Sequence, residues 1–229
     1  MQRQATPPVG LPASVRARSR RFMRKLERKL VRLRLLRWLW SDRYLLIYML
    51  PAAEAKPALP DDGLACDCLD DIDAFRQTES WLSKEQFSKE ARLRIHAGMH
   101  LYTHVQDGVL LHYGWLVPQQ SESIFPYVGQ QFHFPPGTAV LFNAYTHPLA
   151  RGQGLHERSM RRRIADAAAL PGTRQICSAF ESTNRVSRDV AERAGLRCAI
   201  VLYERIRFGR REAGRMSAHD YLAREARRR

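Results

Sequence analysis

The sequence predicts a mixed α/β domain, and two observations support this fold class. The first is the order of the local patterns: helical periodicity, then three strand-like segments joined by turns, then alternating strands and helices. Such an order is typical of a mixed, mostly antiparallel sheet flanked by helices rather than a doubly wound parallel sheet. The second is composition: 229 residues, 45% hydrophobic and 27% charged, suffice to bury a core. Together they exclude collagen, a fully disordered chain and a small disulfide-framed protein.

The formal net charge of +15 is concentrated at the two ends of the chain. Residues 1–43 carry a net charge of +11 and residues 205–229 carry +6, whereas residues 44–204 carry −2. We therefore divide the chain into a basic N-terminal extension (1–43), a domain (44–208) and a basic C-terminal tail (209–229). Basic ends favour anionic partners, which leaves nucleic acid, acidic lipid and acidic protein open.

The N-terminal extension combines a Pro/Gly-rich leader with a helical pattern. Residues 1–15 predict a disordered leader, and from Ser19 apolar residues recur every three or four positions between arginines and lysines. The resulting basic amphipathic helix ends near Trp38–Trp40. It either packs on the domain with a solvated basic face or lies on an anionic membrane surface. No apolar run is long enough to predict a transmembrane helix.

The first elements of the domain are a strand and two helices. The short apolar segment 44–50 predicts a buried strand that ends at Pro51, and residues 51–63 predict a long loop. Residues 70–81 and 84–98 predict helices, the second with apolar residues spaced by four and Gly98 as its stop.

The middle of the domain predicts an antiparallel meander. Strands are expected at 99–106 and 109–117, joined by the hairpin turn Asp107–Gly108, and at 139–146. Residues 118–134 hold either another strand or a substrate loop.

The last part of the domain predicts helices at 154–170 and 184–194, with strands at 175–180 and 196–207. The final strand is either single or a bent pair.

A glycine-containing segment between a predicted strand and a predicted helix is the main candidate for a binding site. It reads Thr146-His-Pro-Leu-Ala-Arg-Gly-Gln-Gly-Leu-His-Glu157. Glycines at alternate positions allow backbone N–H groups to approach a ligand, and a helix N-terminus favours an anion such as a diphosphate. Taken alone, the same residues are equally consistent with an ordinary tight turn.

This segment resembles motif A of the GNAT acyltransferases, whose loop reads Arg/Gln-x-x-Gly-x-Gly/Ala and binds the pyrophosphate of coenzyme A. Arg151, Gly154 and His156 occupy the three motif positions, and His156 stands where the family usually has a small residue. Downstream, Asn184-Arg-Val-Ser187 followed by Ala194-Gly-Leu196 resembles the family's second CoA-side motif. Asn184 is also an ordinary helix-capping residue.

The resemblance spans about residues 95–205 and is dense in 141–197. It implies a sheet splayed between the strand ending at Thr146 and the strand at 175–180, with acyl-CoA in the gap. It also implies twelve residues that contact acyl-CoA: Asn143, Ala144, Tyr145 and Thr146 on the strand, Arg151, Gly152, Gln153, Gly154, Leu155 and His156 in the loop, and Asn184 and Ser187 on the helix.

The resemblance further implies direct transfer of the acyl group to an amine. Such a reaction needs a base for the acceptor, for which His147, Glu181 and His112 are candidates, and an acid for the leaving thiolate. The tyrosine that usually serves as this acid corresponds to Ala191. Tyr203, Tyr145 or water would replace it.

Metal binding and disulfide formation are not expected. Cys66-Asp-Cys68 has the wrong spacing for a zinc knuckle, and Cys177 and Cys198 fall on predicted strands. Four scattered cysteines favour a reducing compartment, so we expect a cytoplasmic protein, with a peripheral membrane association if the N-terminal helix binds lipid.

The sequence thus supports two functional hypotheses. The first is an N-acetyltransferase that uses acetyl-CoA, with an amino sugar favoured as acceptor through a loose similarity to enzymes of surface polysaccharides. The second is a catalytically inactive GNAT-fold module whose basic ends bind membrane or nucleic acid. A minor variant of the first uses aminoacyl-tRNA.

Overall fold

The computed structural model describes residues 39–58 and 63–226. By their contacts these residues form two compact units: a large one, Arg43–Glu204 with 213–226, and a small one made of 39–42 and Arg205–Glu212. The predicted leader and the helix from Ser19 lie outside the described residues. The lipid and nucleic-acid partners of the basic ends therefore stay predictions.

An eight-stranded mixed sheet forms the centre of the fold. Its strands are β1 (Trp40–Pro51), β2 (Ala65–Cys66), β3 (His100–Gln106), β4 (Val109–Val117), β7 (Thr138–Thr146), β8 (Gln175–Glu181), β9 (Arg197–Arg207) and β10 (Arg210–Ser217). They lie in the order β10-β9-β1-β8-β7-β4-β3-β2. The pairs β1–β8, β2–β3, β3–β4 and β4–β7 are antiparallel, and β7–β8 is parallel. The predicted mixed, mostly antiparallel sheet is confirmed.

The described residues form five α-helices beside the sheet: α1 (Leu69–Asp73), α2 (Lys84–His96), α3 (Leu155–Ala169), α4 (Arg185–Arg193) and α5 (Ala218–Ala226). Strand β1 is apolar from Tyr44 to Leu50, because both of its faces are covered there. Leu46 and Tyr48 belong to one core cluster with residues of α3 and α4, whereas Leu45 and Ile47 belong to a second cluster on the opposite face.

The segment between β4 and β7 covers that opposite face. It forms a separate two-stranded sheet, β5 (Glu122–Phe125) with β6 (Gln130–His133). Phe132 and Phe134 from this segment are buried against Leu45 and Ile47. Of the two alternatives left open for residues 118–134, the structure therefore shows strands.

The first predicted helix is much shorter than its pattern suggested. Helix α1 ends at Asp73, not at Trp81. The Ala74 carbonyl accepts the N–H of Leu110 at 3.0 Å, and Phe75 turns into the core, 4.3 Å from the ring of Phe87. Because the Ala74 carbonyl and the Phe75 ring make these tertiary contacts, the helix does not continue and residues 74–82 form a loop.

Helix α2 begins where the sequence predicts, and a capping box accounts for this start. The Ser83 side chain accepts the N–H of Gln86, and the Gln86 side chain accepts the N–H of Ser83. Phe87 and Ala91 bury one face of the helix against β3 and β4.

A strand and a helix follow β9, within the segment 209–229 that the sequence predicts as a basic tail. Strand β10 and helix α5 occupy 210–226, and Tyr221 of α5 is buried 5.2 Å from the ring of Tyr44. Within the small unit, the Arg207 guanidinium lies 3.7 Å from the Trp40 ring centroid and pairs with Asp42 at 2.6 Å. No helix among the described residues has both the length and the apolar character required to cross a bilayer.

Strand β7 has a bulge in its pairing with β4 and separates from β8 after Leu141. The β4–β7 register passes from Tyr113–Tyr145 to Trp115–Phe142, so β7 carries an extra residue in this interval. Asn143 adopts a left-handed conformation there, with φ of 46°. On its other edge β7 pairs with β8 from Thr138 to Leu141, and the ladder stops at Leu141–Ser178.

A buried arginine supports the bulge from below. The Arg163 guanidinium of α3 donates to the carbonyls of Trp115 and Ser159 and is 1% exposed. It lies against Gly114, where a Cβ atom would approach it to 2.7 Å. The glycine at this position is therefore what allows the arginine to reach the Trp115 carbonyl.

Candidate active site

Divergence of β7 from β8 opens a gap at the carboxyl ends of the two strands. Where the ladder stops, the Ser178 hydroxyl donates to the Leu141 carbonyl at 2.9 Å. Beyond this point β7 continues to Thr146 and β8 to Glu181 without further pairing to each other. The backbone of β7 from Phe142 onward therefore has an unpaired edge toward the gap.

A cavity of about 670 Å³ occupies the gap, and we call it the donor cavity. The loop from β7 to α3 and the N-terminus of α3 form one wall, and α4 forms another. Gly154 caps α3 with a φ of 76°. The first hydrogen bond of helix α3 runs from the N–H of Arg158 to the Gly154 carbonyl. The N–H groups of Leu155, His156 and Glu157 therefore have no helical partners. These N–H groups and the helix dipole make an anion site.

The charged side chains that line the donor cavity are two arginines, Arg151 and Arg193, and one carboxylate, Glu157. Arg151 is 58% exposed at its side chain and pairs with Glu79 at 3.3 Å. Arg193 and Arg161 both donate to Glu157, and these hydrogen bonds lower the pKa of that carboxyl. The cavity therefore presents more positive than negative charge to a ligand, as a diphosphate requires.

His156 turns into the protein rather than over the loop. Its Nε2 atom is buried, and its ring lies 5.9 Å from that of His112. Burial, with the charge of Arg163 as a smaller cause, lowers the pKa of His156 to about 4. An uncharged, inward ring explains how a large residue fits where the GNAT family usually has a small one.

Most of the residues predicted to contact acyl-CoA come together in this cavity. Ten line it: Ala144, Tyr145, Thr146, Arg151, Gly152, Gly154, Leu155, His156, Asn184 and Ser187. Two do not: Asn143 lines a different cavity, and the Gln153 amide donates to the Leu149 carbonyl. Asn184 caps α4 by accepting the N–H of Ser187 at 3.2 Å, and its contact with acyl-CoA stays a prediction.

Sequence reasoning missed five lining residues: Ala150, Glu157, Val186, Val190 and Arg193. Glu157, at the third position of α3, lies within the segment that was singled out. Nothing in the sequence indicated Arg193, because this residue is at the site through a 2.8 Å ion pair with Glu157, which is distant in sequence.

The three predicted catalytic residues do not line the donor cavity. His147 is buried, and its Nδ1 accepts the N–H of Leu149 at 3.3 Å, so it holds the turn before Pro148. Glu181 is exposed at the end of β8, where the strands diverge, and its side chain has no hydrogen-bond partner among residues 39–58 and 63–226. Tyr203 lies on β9, which β1 and β8 separate from β7 in the sheet order.

Tyr145, the alternative acid, does line the cavity. Its hydroxyl is hydrogen-bonded to that of Thr78, and its ring stacks on Tyr113 at 5.7 Å. Thr78 belongs to the loop that follows α1, as does Glu79, the partner of Arg151. This loop therefore contacts both a strand residue and a loop residue of the donor cavity.

His112, a further candidate base, is fully buried. Its Nδ1 contacts the Thr146 hydroxyl at 2.9 Å, and burial lowers its pKa well below 6.5. Since it has no exposed surface, it is not positioned to take a proton from a solvated amine.

One cluster within the described part of the chain has metal-ligand character. Atoms of Cys66, Asp67 and His100 lie within 4.8 Å of one another. Asp67 Oδ2 contacts His100 Nδ1 at 2.7 Å, and its Oδ1 accepts the N–H of Leu101 at 2.7 Å. These hydrogen bonds position the side chains of Asp67 and His100. The four cysteines are free.

Solved structures that align with this chain include proteins assigned to the GNAT family of acetyltransferases. One from Colwellia psychrerythraea aligns with a TM-score of 0.51 and 16% identity over 73% of this chain and 57% of its own. A protein assigned to the same family from Novosphingobium aromaticivorans aligns with a TM-score of 0.46 and 19% identity over 71% of this chain and 63% of its own. The mixed sheet, its splay and the first of these alignments show that this chain has the GNAT fold.

The chain thus spans about 57–63% of the length of these two solved chains. No protein-family model matches the chain, and no curated protein matches it.

Proposed function

We propose that this protein is an acyl-CoA-dependent acyltransferase, with acetyl-CoA as donor and an amine as acceptor. The observation that carries the proposal is the donor cavity, where ten of the twelve residues expected to contact acyl-CoA lie together. The GNAT fold supports the proposal, because the loop and α4 segments that resemble the CoA-binding motifs of that family are the segments that line this cavity.

Each part of the donor has a counterpart in the cavity. The diphosphate fits the N–H groups of Leu155, His156 and Glu157, with Arg151 adding charge. The pantetheine arm carries amides, which pair with the unpaired edge of β7 as an added strand would. The thioester then comes to lie near the bulge at Asn143 and Ala144.

The proposed reaction is direct transfer. The neutral amine nitrogen attacks the thioester carbonyl carbon, the C–S bond breaks, and the amine loses a proton as the thiolate gains one. We assign the proton donor for the thiolate to Tyr145, because its hydroxyl belongs to a residue of the donor cavity. We assign removal of the amine proton to Glu181 through water, because this exposed carboxylate ends β8 where the gap opens. His147 and Tyr203 are engaged elsewhere in the fold.

The experiment that tests the proposal is a thermal-shift titration of the full chain with acetyl-CoA, with CoA and ATP for comparison. A ligand that binds the folded state stabilises it by about 2.7 kcal/mol at a hundredfold excess over its dissociation constant. We expect saturable stabilisation by acetyl-CoA and CoA and little by ATP, which lacks the pantetheine arm.

A folded protein whose melting temperature responds to no CoA species would overturn the proposal. Binding without thiol release in the presence of any amine would favour the inactive module instead.

A further inference from the structure

A second cavity, of about 220 Å³, lies on the other side of the β7 bulge. We call it the α2 cavity, after the helix that forms one wall. Its lining residues are Trp81, Leu82, Phe87, Glu90, Ala91, Arg94, Tyr113, Trp115 and Asn143. It is smaller than the pockets that hold drug-sized ligands, so it suits a small molecule.

The α2 cavity and the donor cavity share the bulge of β7. Asn143 lines the α2 cavity, and the next residue, Ala144, lines the donor cavity. A molecule in the α2 cavity therefore contacts β7 one residue away from the part of the strand that lines the donor cavity. The pantetheine arm of the donor is proposed to run along that part.

Two buried polar groups of the α2 cavity have no hydrogen-bond partner. They are the Tyr113 hydroxyl and the Trp115 indole Nε1, on residues that are each 1% exposed. A buried donor without a hydrogen-bond partner destabilises the fold, and a ligand that accepts from it would remove that cost. Burial raises the pKa of Tyr113 to about 12, so the hydroxyl keeps its proton and is a donor, and Arg94 and Glu90 influence it as charged neighbours.

Arg94 adds a positive charge and further donors to the same wall. Its guanidinium lies 5.3 Å from the Trp115 ring centroid and 5.4 Å from that of Phe142, and its Nη2 pairs with Glu90 at 2.8 Å. The guanidinium thus occupies the aromatic face at which a ligand cation would otherwise bind. Its remaining N–H groups have no acceptor among the described residues.

The cavity therefore offers donors in excess of acceptors. Trp N–H and Arg N–H groups donate and never accept, and the one carboxylate, Glu90, is paired with Arg94. The ligand group that satisfies such a wall is an oxygen anion, which accepts several hydrogen bonds at once.

We propose that the α2 cavity is the acceptor pocket and that it binds the carboxylate of an amino-acid-type acceptor. In this arrangement, which rests on the proposed acyl transfer, Arg94, Trp115 and Tyr113 hold the carboxylate. The α-amine is then directed to the bulge at Asn143 and Ala144. The step is the transfer described above, with an N-acyl amino acid and CoA as products.

The test compares acceptors that differ in the carboxylate alone. Initial rates with acetyl-CoA are measured for the standard L-amino acids, for their methyl esters and for glucosamine. We expect kcat/KM for the best amino acid to exceed that of its ester by more than about tenfold, because charged hydrogen bonds are lost in the ester. Equal rates for acid and ester, or a preference for glucosamine, would overturn the proposal.

Arg94→Met is the variant that tests the pocket, because it keeps the aliphatic body of the side chain and removes the donors. We expect the KM for the amino acid to rise by roughly tenfold or more, with kcat less affected and the acid-to-ester ratio reduced. Arg92→Met is the matched control, because Arg92 lies on the same helix but pairs with Asp73 outside the cavity. Equal effects of the two substitutions would contradict the assignment.

Tyr113→Phe separates binding from stability. Since the hydroxyl has no protein partner, we expect an unchanged or slightly higher melting temperature together with a higher KM for the amino acid. An unchanged KM in this variant would remove Tyr113 from the pocket.

A calorimetric titration of the same amino acids without donor distinguishes the two proposals. If acetyl-CoA binds but no amino acid binds or is acetylated, the acceptor assignment is wrong and the acyltransferase proposal stands. If acetyl-CoA does not bind while an amino acid binds in an Arg94-dependent manner, the acyltransferase proposal fails and the carboxylate pocket stands.

Discussion

The donor cavity and the α2 cavity meet at one bulge but differ in how they are built. The donor cavity is lined by consecutive residues, a glycine loop and the first turn of α3, whose backbone N–H groups have no helical partners. The α2 cavity takes its donors from side chains on a helix and two strands, with Arg94, Tyr113 and Asn143 far apart in sequence. A backbone site can be recognised from a short motif, whereas a side-chain site requires the fold.

The largest expected effect tests the backbone character of the donor cavity. In Gly154→Glu a negative side chain replaces a glycine with φ of 76°, and charge repulsion of the diphosphate should weaken CoA binding by roughly a hundredfold or more. The measurement is the CoA dissociation constant by calorimetry.

Gly108→Glu is the control for this substitution. Gly108 also has a left-handed φ, of 68°, and open space around it, but it lies in the β3–β4 turn. Equal losses in both variants would mean that backbone strain, not the phosphate site, is responsible.

Tyr145→Phe tests whether the donor cavity also supplies chemistry. Removal of a general acid lowers the rate of acyl transfer, and we expect kcat to fall by about 10–100-fold with little change in CoA affinity. Thr78→Ala removes the same hydrogen bond but keeps the Tyr145 hydroxyl, so it should retain most of the activity. If the two variants lose kcat equally, the hydroxyl acts through the loop and not on the thiolate.

Gly114→Ala tests the bulge that the two cavities share. The new methyl group would lie 2.7 Å from the buried Arg163 guanidinium, which cannot move without losing its bonds to Trp115 and Ser159. We expect the free energy of unfolding to fall by about 1–3 kcal/mol, as for other overpacked cores. The double variant Gly114→Ala/Arg163→Met lacks the clash, so its free energy of unfolding, measured by chemical denaturation, should exceed that of Gly114→Ala alone. If it does not, the strain lies elsewhere.

The smallest expected effect concerns the histidines beneath the donor cavity. Burial lowers the pKa of His156 from 6.5 to about 4, and that of His112 is lowered as well. The unfolded chain therefore binds more protons than the folded one in this window, and stability should decrease as the pH falls from about 6.5 to about 4. Melting temperatures across this range should depend less steeply on pH in His156→Gln; an unchanged slope would show that other groups are responsible.

Much of the fold could be predicted because local patterns agreed with tertiary requirements. The apolar run of β1, the Asp107–Gly108 turn and the capping residue Ser83 each act over a few residues, and the structure places elements there. Helix α1 was predicted too long because the partners of Ala74 and Phe75 come from β4 and α2, which the local sequence does not reveal.

The candidate site divides in the same way. The sequence pointed to Gly154 and Arg151 because a helix N-terminus and its preceding loop are contiguous, and the structure shows that both residues line the donor cavity together with Asn184. The catalytic residues were less accessible to such reasoning. His147 and Tyr203 have suitable chemistry, but their positions in a turn and on β9 direct them away from the donor cavity.

The sequence by itself determined the mixed α/β class, the starts of α2, α3 and α4 and the glycine loop before α3, because each follows from residue types a few positions apart. Tertiary structure alone decided the bulge at Asn143, the burial of Arg163 and His156, and the assembly of the α2 cavity. The physical reason is that these features depend on which side chains meet across strands and helices. Such meetings are set by packing over the whole fold rather than by local conformational preference.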